Sequence, residues 1–489
     1  MSEYRQDAQL TLGRIYDKVR GATQEEMEAV RMMRMAAENG DADAQNRLGI
    51  RYDEGCGVEQ SDVEAVHWYR WAAEQGLVYA QYNLGNMYAD GRGVTQDDRE
   101  AAHWYRLAAM QGEAAAQVKM GVLHANSLGV EQDDAEAVRW YLLAAEQDNS
   151  DAQFFLGVMY TNGRGVEQSY AEAARWYRRA AELNNAESQF NFGYFHANGL
   201  GVRKNDAEAA RWYRRAADQG LAVAQFDLGD VYRIGRGVER NDQEAARWYR
   251  SAAEQGHAEA QVGLGYMYAD GRGVEQDDVE AVRWYRLSAE QGHAEAQVGL
   301  GYMYADGRGV ERNDAEAVRW YLLAADQGMP RAQLNLGLMY RDGLGVAQND
   351  AEAIRWFRLA AWQHEAQAQY SLGCMYSNGP EVQRDHVEAV HWFHSAALQD
   401  HAAAQNKCGE MYRYGEGLAK DLKEDVTDKT PRSVGFSPRC GEISLNTWAE
   451  AHATSTFVGH VNEAIYWFRL ASEQGDEKAI AAMKELDAK

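Results

Sequence analysis

Proline is nearly missing from this chain, with 4 in 489 residues. An all-β protein rich in turns needs more than that, so this class is disfavoured. Cysteine is as scarce. Cys56, Cys374, Cys408 and Cys440 show no C-x-x-C or other metal spacing, which fits a reducing compartment better than a disulfide framework. No apolar run approaches the 18 residues of a membrane span, so no membrane insertion is expected. The opening MSEYRQDAQL lacks the basic and apolar regions of a secretory signal. A soluble, cytoplasmic protein is the resulting expectation. Positive charge is in deficit, with 50 Lys and Arg against 75 Asp and Glu, a net charge of −25. No basic patch is segregated, and phosphate backbones repel such a chain, so nucleic acid is not an expected partner. A protein or peptide, and a basic one, is better matched.

What is abundant falls on a ruler. Trp68, Trp104, Trp140, Trp176, Trp212, Trp248, Trp284, Trp320, Trp356 and Trp392 lie 36 residues apart, and Met32 continues the series upstream. Gly13, Gly49, Gly85 and their successors to Gly409 keep the same period. Trp467 comes 75 residues after Trp392, one period plus 39. Periods of this length signal a repeat architecture.

Each unit carries two helical patterns. Ala65, Trp68, Tyr69, Ala72 and Ala73 share one face of a second helix, and Ala44, Leu48 and Tyr52 one face of a first. A glycine inside a helix costs about 1 kcal/mol against alanine. Its recurrence beside Leu48 therefore predicts a close neighbour on that face. Ser61-x-x-Glu64, Asp97-x-x-Glu100, Asp133-x-x-Glu136, Ser169-x-x-Glu172, Asn205-x-x-Glu208 and Asn313-x-x-Glu316 are starts of the capping-box kind for the second helix. Gly76, Gly112, Gly220, Gly256, Gly292 and Gly328, or Asp148 and Asn184, end it. The first helix ends in turns such as Asp90-Gly91-Arg92-Gly93-Val94. One such pair cannot bury its apolar face alone, so the pairs must stack.

The unit HAEAQVGLGYMYADGRGVEQDDVEAVRWYRLSAEQG, His257 to Gly292, resembles a Sel1-like repeat, a relative of the tetratricopeptide repeat. The shared pattern is A-x-x-x-L-G-x-x-Y, then G-x-G-V, then A-x-x-W-Y-x-x-A-A, and it recurs through nearly the whole chain. The resemblance implies an all-α fold: a right-handed α-solenoid of about twelve 36-residue repeats forming a single domain over 1–489, with its first helix from about residue 8. It also implies a bacterial origin and a scaffold or adaptor role. Relatives with a disulfide in nearly every repeat have been ascribed enzyme activity; the paired cysteines are missing here, so that activity is not carried over. Residues 257–275 and 293–311 are identical, the mark of a recent tandem duplication.

Features that invite chemistry have plainer explanations. The G-x-G turns follow helices rather than strands, and no G-K-[ST] closes them, so they are turn geometry rather than phosphate loops. Arg139, Arg175, Arg211, Arg247, Arg283 and Arg319 each follow a glutamate by three residues, the spacing of a surface ion pair. His391 and His394 share a helix face, with His364, His386 and His401 in nearby turns. No carboxylate or cysteine completes a metal set with them. Cys374 and Cys408 flank the glycines of adjacent repeats, where small residues pack. No nucleophile–base pair or cofactor fingerprint stands out, so no enzyme, cofactor or metal is expected.

Variation between repeats marks the candidate site. Two first-helix positions change freely, two before the glycine and one after it, and they share a face. Their middle members are Lys119, Phe155, Asn191, Tyr194, Asp227, Asp230, Tyr266, Tyr302, Asn335 and Leu338. First helices of tetratricopeptide-like arrays line the concave surface, so the resemblance places this strip in a groove. Aromatic and acidic groups together suit protein recognition. A scaffold gripping a protein or peptide there is the leading expectation. An inhibitor or immunity-type protein neutralising a basic toxin or enzyme is the alternative, and a hydrolase with a site built across repeats a third. One break interrupts the ruler. Asp428 stands where a tryptophan is due, and residues 424–462 read as an irregular insertion before the pattern resumes at Glu463. Residues 476–489 are expected to form a capping helix.

Overall fold

Helices of about thirteen residues alternate with short turns, as the cap spacing dictates. The computed structural model describes residues 24–378, 385–414 and 457–487. Among these residues there are twenty-four α-helices and no strand. After Gln24–Glu38 they run in pairs, from Ala42–Glu54 with Asp62–Glu74 to Ala402–Tyr414 with Phe457–Glu473, and close with Glu477–Asp487. The fold is an all-α solenoid. Residues up to Trp248 form one compact unit and those from Tyr249 a second.

The expected caps are in place. Ser61 Oγ accepts from the Glu64 N–H at 3.3 Å, and Asp133 Oδ1 from the Glu136 N–H at 2.9 Å. At the other end, Gly76 and Gly112 take φ of 88° and 95°. Asp148, Asn184 and His364 take that left-handed place with φ of 58°, 67° and 63°. The second glycine of the G-x-G turn has a separate reason. A Cβ on Gly93 or Gly165 would run into the backbone carbonyl of Asp62 or Asp134, at the start of the preceding second helix. Only glycine lets the repeats approach that closely.

The helix-interior glycines meet the close neighbour expected of them. A Cβ on Gly85 would lie 2.7 Å from Tyr105 Cδ1, and one on Gly301 2.6 Å from Tyr321 Cε1. In these repeats the first helix thus lies flat against a buried ring of the second. The tryptophans bridge repeats: Trp248 joins a core that includes Ala210 and Tyr213 of the preceding repeat, and Trp356 one that includes Val318 and Tyr321.

A polar seam also runs through the core. Gln117 Nε2 donates to the Ala109 carbonyl at 3.2 Å, while Gln117 Oε1 accepts from Gln147 Nε2 at 2.9 Å. The same relay recurs at Gln45 with Gln75, Gln261 with Gln291 and Gln333 with Gln363. Arginines in the G-x-G turns add a second link. Arg164 reaches Asp134 at 2.6 Å and the Ala125 carbonyl at 2.7 Å; Arg308 does the same with Asp278 and Ala269.

The last repeat closes across its interruption. A Cβ on Gly409 would lie 2.6 Å from Phe468 Cδ1, and Gln474 donates to Gln405 at 2.8 Å. Phe468 and Gln474 therefore fill the places held by Tyr105 and Gln111 in an unbroken repeat. One expectation needs adjusting. The helix entering this repeat begins at Phe457 rather than Glu463, so residues 457–462, assigned to the irregular insertion, are helical. The rest of that insertion, the first helix expected around Gly13, and Cys440 lie outside the described residues. At the end of the chain, Asp476 caps Glu477–Asp487 through the Ala479 N–H.

Candidate functional site: the first-helix stripe

The ten candidate residues fall six in the first unit and four in the second. In the first unit Lys119 is exposed. Phe155 is half-buried and stacks on Tyr141, with ring centroids 5.0 Å apart and planes 17° apart. Asn191 Nδ2 donates to the Glu187 carbonyl on its own helix at 2.8 Å. Tyr194 is 45% exposed. Asp230 pairs with Arg233 at 2.6 Å.

Asp227 differs from these. Its carboxylate is half-buried on Ala222–Ile234, and no hydrogen bond or ion pair reaches it. Burial, and then the neighbouring Asp230 charge, push its pKa up to about 6. Asp227 and Tyr194 both act electrostatically on the buried Tyr213 hydroxyl, so adjacent first helices bring them to one place.

In the second unit Tyr266 lies edge-on to Tyr285 and donates its hydroxyl to Glu295 Oε1 at 3.2 Å. Burial and that glutamate push its pKa up to about 12. Tyr302, its copy one repeat on, is 49% exposed and bonds to Asp306, which raises its pKa. The difference follows from sequence: Arg331 stands where the preceding repeat has Glu295, so Tyr302 finds no such glutamate. Asn335 hydrogen-bonds to the Tyr321 hydroxyl, and Leu338 packs against the core that contains Phe357 and Leu372.

The position two before the glycine is thus partly a packing position. Phe155 covers Tyr141, Asn335 meets Tyr321, and a Cβ on Gly299 would lie 3.1 Å from Tyr285. Side chains reach into solvent from Lys119, Tyr194 and Tyr302. The stripe is also longer than the sequence reading made it. Glu259, Gly263, Tyr266 and Asp270 are spaced by 4, 3 and 4 residues, which at about 100° per residue puts all four on one helix face. Glu295, Gly299, Tyr302 and Asp306 repeat the set.

The expected glutamate–arginine pairs form. Glu136–Arg139, Glu172–Arg175 and Glu352–Arg355 pair at 3.0, 2.7 and 3.0 Å. With the arginines 61–76% exposed, these pairs add little stability. The histidines act separately. His401 caps a helix through the Ala404 N–H and stacks on Tyr370, while His394 meets Trp467 edge-on. Among the described residues no group of three or more His, Cys, Asp or Glu has the arrangement of a metal site. Cys56, Cys374 and Cys408 are free thiols, and burial raises the pKa of Cys374 and Cys408. No described helix is long and apolar enough to cross a membrane.

Comparison with known proteins places this geometry. The Sel1 repeat profile matches thirteen segments: nine run without a gap from 6 to 329, followed by 330–361, 366–401, 402–424 and 461–476. The last two are the halves of the repeat that Gly409 and Phe468 close. Among solved structures, a protective antigen of uropathogenic Escherichia coli with an SLR fold, c5321, is 35% identical. It aligns over 94% of this chain and 97% of its own, with a TM-score of 0.76. A Sel1 repeat protein from Oxalobacter formigenes is 30% identical over 64% of this chain and 93% of its own, with a TM-score of 0.49. No match is found among curated proteins.

Proposed function

This chain belongs to the Sel1 repeat family, and from that premise we propose that it is a scaffold holding a protein or peptide segment against its first-helix stripe. Sel1 repeat proteins are in general protein-interaction scaffolds. The observation that carries the finer reading is Asp227. A carboxylate partly removed from water with no cation beside it destabilises the free protein, and a lysine or arginine from a partner relieves that. Tyr194, nearly half exposed, supplies a rigid apolar surface beside it. The net charge of −25 draws a basic partner at long range. In this reading the protein works in the cytoplasm, without cofactor or catalysis.

The test begins with affinity purification from the native cell. Once a partner is confirmed, its dissociation constant is measured against Asp227→Asn and against Tyr194, Tyr266 and Tyr302 changed together to Ala. Loss of about tenfold or more is expected from each. An unchanged constant for both variants refutes the stripe as the binding face. The charge also suits a second reading, an inhibitor that neutralises a basic enzyme or toxin. Assaying the bound protein separates the two: an inhibitor silences its partner, and a scaffold leaves it active.

A further inference from the structure

An arginine sits on a tyrosine at six of the junctions between repeats. Arg70, on a second helix, donates to the hydroxyl of Tyr88 near the end of the next first helix, at 2.6 Å. Arg250 reaches Tyr268 at 2.6 Å, and Arg286 reaches Tyr304 at 3.0 Å. Arg34 with Tyr52, Arg214 with Tyr232 and Arg358 with Tyr376 complete the set. In five of the six the guanidinium also lies over the ring, 5.5–5.9 Å from its centroid. Hydroxyl and ring face together make a seat for a guanidinium, which is planar and rich in donors. Eighteen residues separate arginine from tyrosine each time.

Two tyrosines keep the place and lack the arginine. Leu142 stands eighteen residues before Tyr160, and Leu322 eighteen before Tyr340. Among the described residues no side chain hydrogen-bonds to either hydroxyl. Leu142 packs against the core around Tyr141 and Leu156. An open hollow of about 510 Å³ is left at Tyr160, lined also by Val166, Glu167, Gln168, Ser169 and Glu172. In the second unit the matching valine, Val310, lies in a hollow lined by Arg286 itself, which marks where such a side chain goes. Glu167 is exposed and in no ion pair among the described residues. The surrounding chain has no cation to spare for this place. All five arginines between Ser127 and Gly201 are paired already: Arg139 with Glu136, Arg164 with Asp134, Arg175 with Glu172, Arg178 with Glu182 and Arg179 with Asp148. No lysine falls in that stretch.

We infer that the hollow at Tyr160 binds an arginine side chain of another protein, in the place that Arg70, Arg250 and Arg286 fill from within. Its guanidinium donates to the Tyr160 hydroxyl, lies over the ring and meets the Glu167 carboxylate. Tyr340 is the weaker of the two places, because Ala347 stands where the first has Glu167. The site is separate from the stripe. Tyr160 comes two residues after Val158, a stripe position by its place after Gly157, and so lies about 200° round the helix from it. The inference therefore does not depend on the stripe being the binding face.

Nuclear magnetic resonance on the full-length protein with carbon-13-labelled tyrosine rings tests it, the Tyr160 signal being identified from Tyr160→Phe. The probes are N-acetyl-arginine amide and N-acetyl-citrulline amide, which differ in charge but hardly in shape. The arginine probe is expected to shift the Tyr160 signal saturably and to bind at least about tenfold more tightly than citrulline. Leu142→Arg supplies the missing side chain from within, as six junctions already do. It should abolish the response while helicity by circular dichroism is unchanged. Glu167→Gln alters only an exposed side chain, and decides alone if the arginine variant does not fold. It should weaken binding by about two- to fivefold, the worth of one exposed ion pair. Equal response to both probes, or none to either, would overturn the inference. So would a response that survives in folded Leu142→Arg, or a dissociation constant unchanged in Glu167→Gln.

Discussion

Leu183 stands where a glutamine would meet Gln153. Thirty residues separate them, as they separate Gln147 from Gln117 and Gln219 from Gln189, where side-chain hydrogen bonds of 2.9 and 2.8 Å form. Gln153 is fully buried, and its Nε2 reaches the Ala145 carbonyl at 3.3 Å, but its Oε1 has no partner. Leucine has nothing to donate. Leu183 is itself 47% exposed, so little burial is lost by replacing it. Leu183→Gln is expected to stabilise the protein by about 1 kcal/mol, the worth of satisfying one buried acceptor. A urea titration checks this, and an unchanged or lower midpoint would remove the seam from the list of stabilising features.

Asp227 gives a pH-dependent prediction. Its folded pKa of about 6 lies above the ordinary value of 3.8, so the fold favours the protonated acid. The penalty is fully present above pH 6 and gone below about pH 4. Asp227→Asn should raise the melting temperature at pH 7.5, by the equivalent of about 2 kcal/mol, and the gain should vanish near pH 4. Scans of both proteins at the two pH values decide it. A gain that persists at pH 4 would mean that something other than the charge is responsible.

The helix glycines divide by their surroundings. Gly85→Ala would put a methyl 2.7 Å from two ring carbons of Tyr105, a ring that is 1% exposed and cannot swing away. Destabilisation of about 1–3 kcal/mol is expected even though alanine is the better helix former by about 1 kcal/mol. Gly299→Ala meets Tyr285 at 3.1 Å, a contact relieved by a small shift. Its effect should fall within about 0.5 kcal/mol of zero. Denaturation midpoints of the two variants measure the difference.

Removing residues 424–462 joins Lys423 to Glu463 and returns Trp467 to 36 residues after Trp392. The contacts that close the last repeat, Gly409 on Phe468 and Gln405 with Gln474, lie outside the deleted stretch. Helicity should be kept apart from the six residues 457–462, and the melting temperature should be no lower than the parent's. A large fall in either would show that the deleted stretch packs into the solenoid.

The helix pairs were legible because each rests on local chemistry that repeats. Ser61, Asp133 and Asn313 are caps by residue type, and Gly49 and Gly85 recur where only a close neighbour explains them. The glutamine seam was not legible. Gln45 and Gln81 follow alanine on a helix that is polar elsewhere, and residue type does not separate a buried amide from a solvated one. Its 36-residue recurrence was the available signal. The stripe was found in part. Its face followed from spacing, but the stacking of Phe155 on Tyr141 and the unpaired state of Asp227 depend on which side chain the adjacent repeat presents. That is decided across an interface rather than along a helix.

The links between repeats reach one neighbour only: Gln117 to Gln147, Arg164 to Asp134, Gly165 over Asp134. Among the described residues these links join adjacent units, so copying a unit leaves every surviving junction with the partner it had before. Slippage during replication can therefore lengthen such a gene in 36-residue steps without inventing a new interface. The identical stretches 257–275 and 293–311 look like the product of such a step. Already the second copy has begun to differ, since Arg331 stands one period after Glu295 and Tyr302 bonds to Asp306 instead.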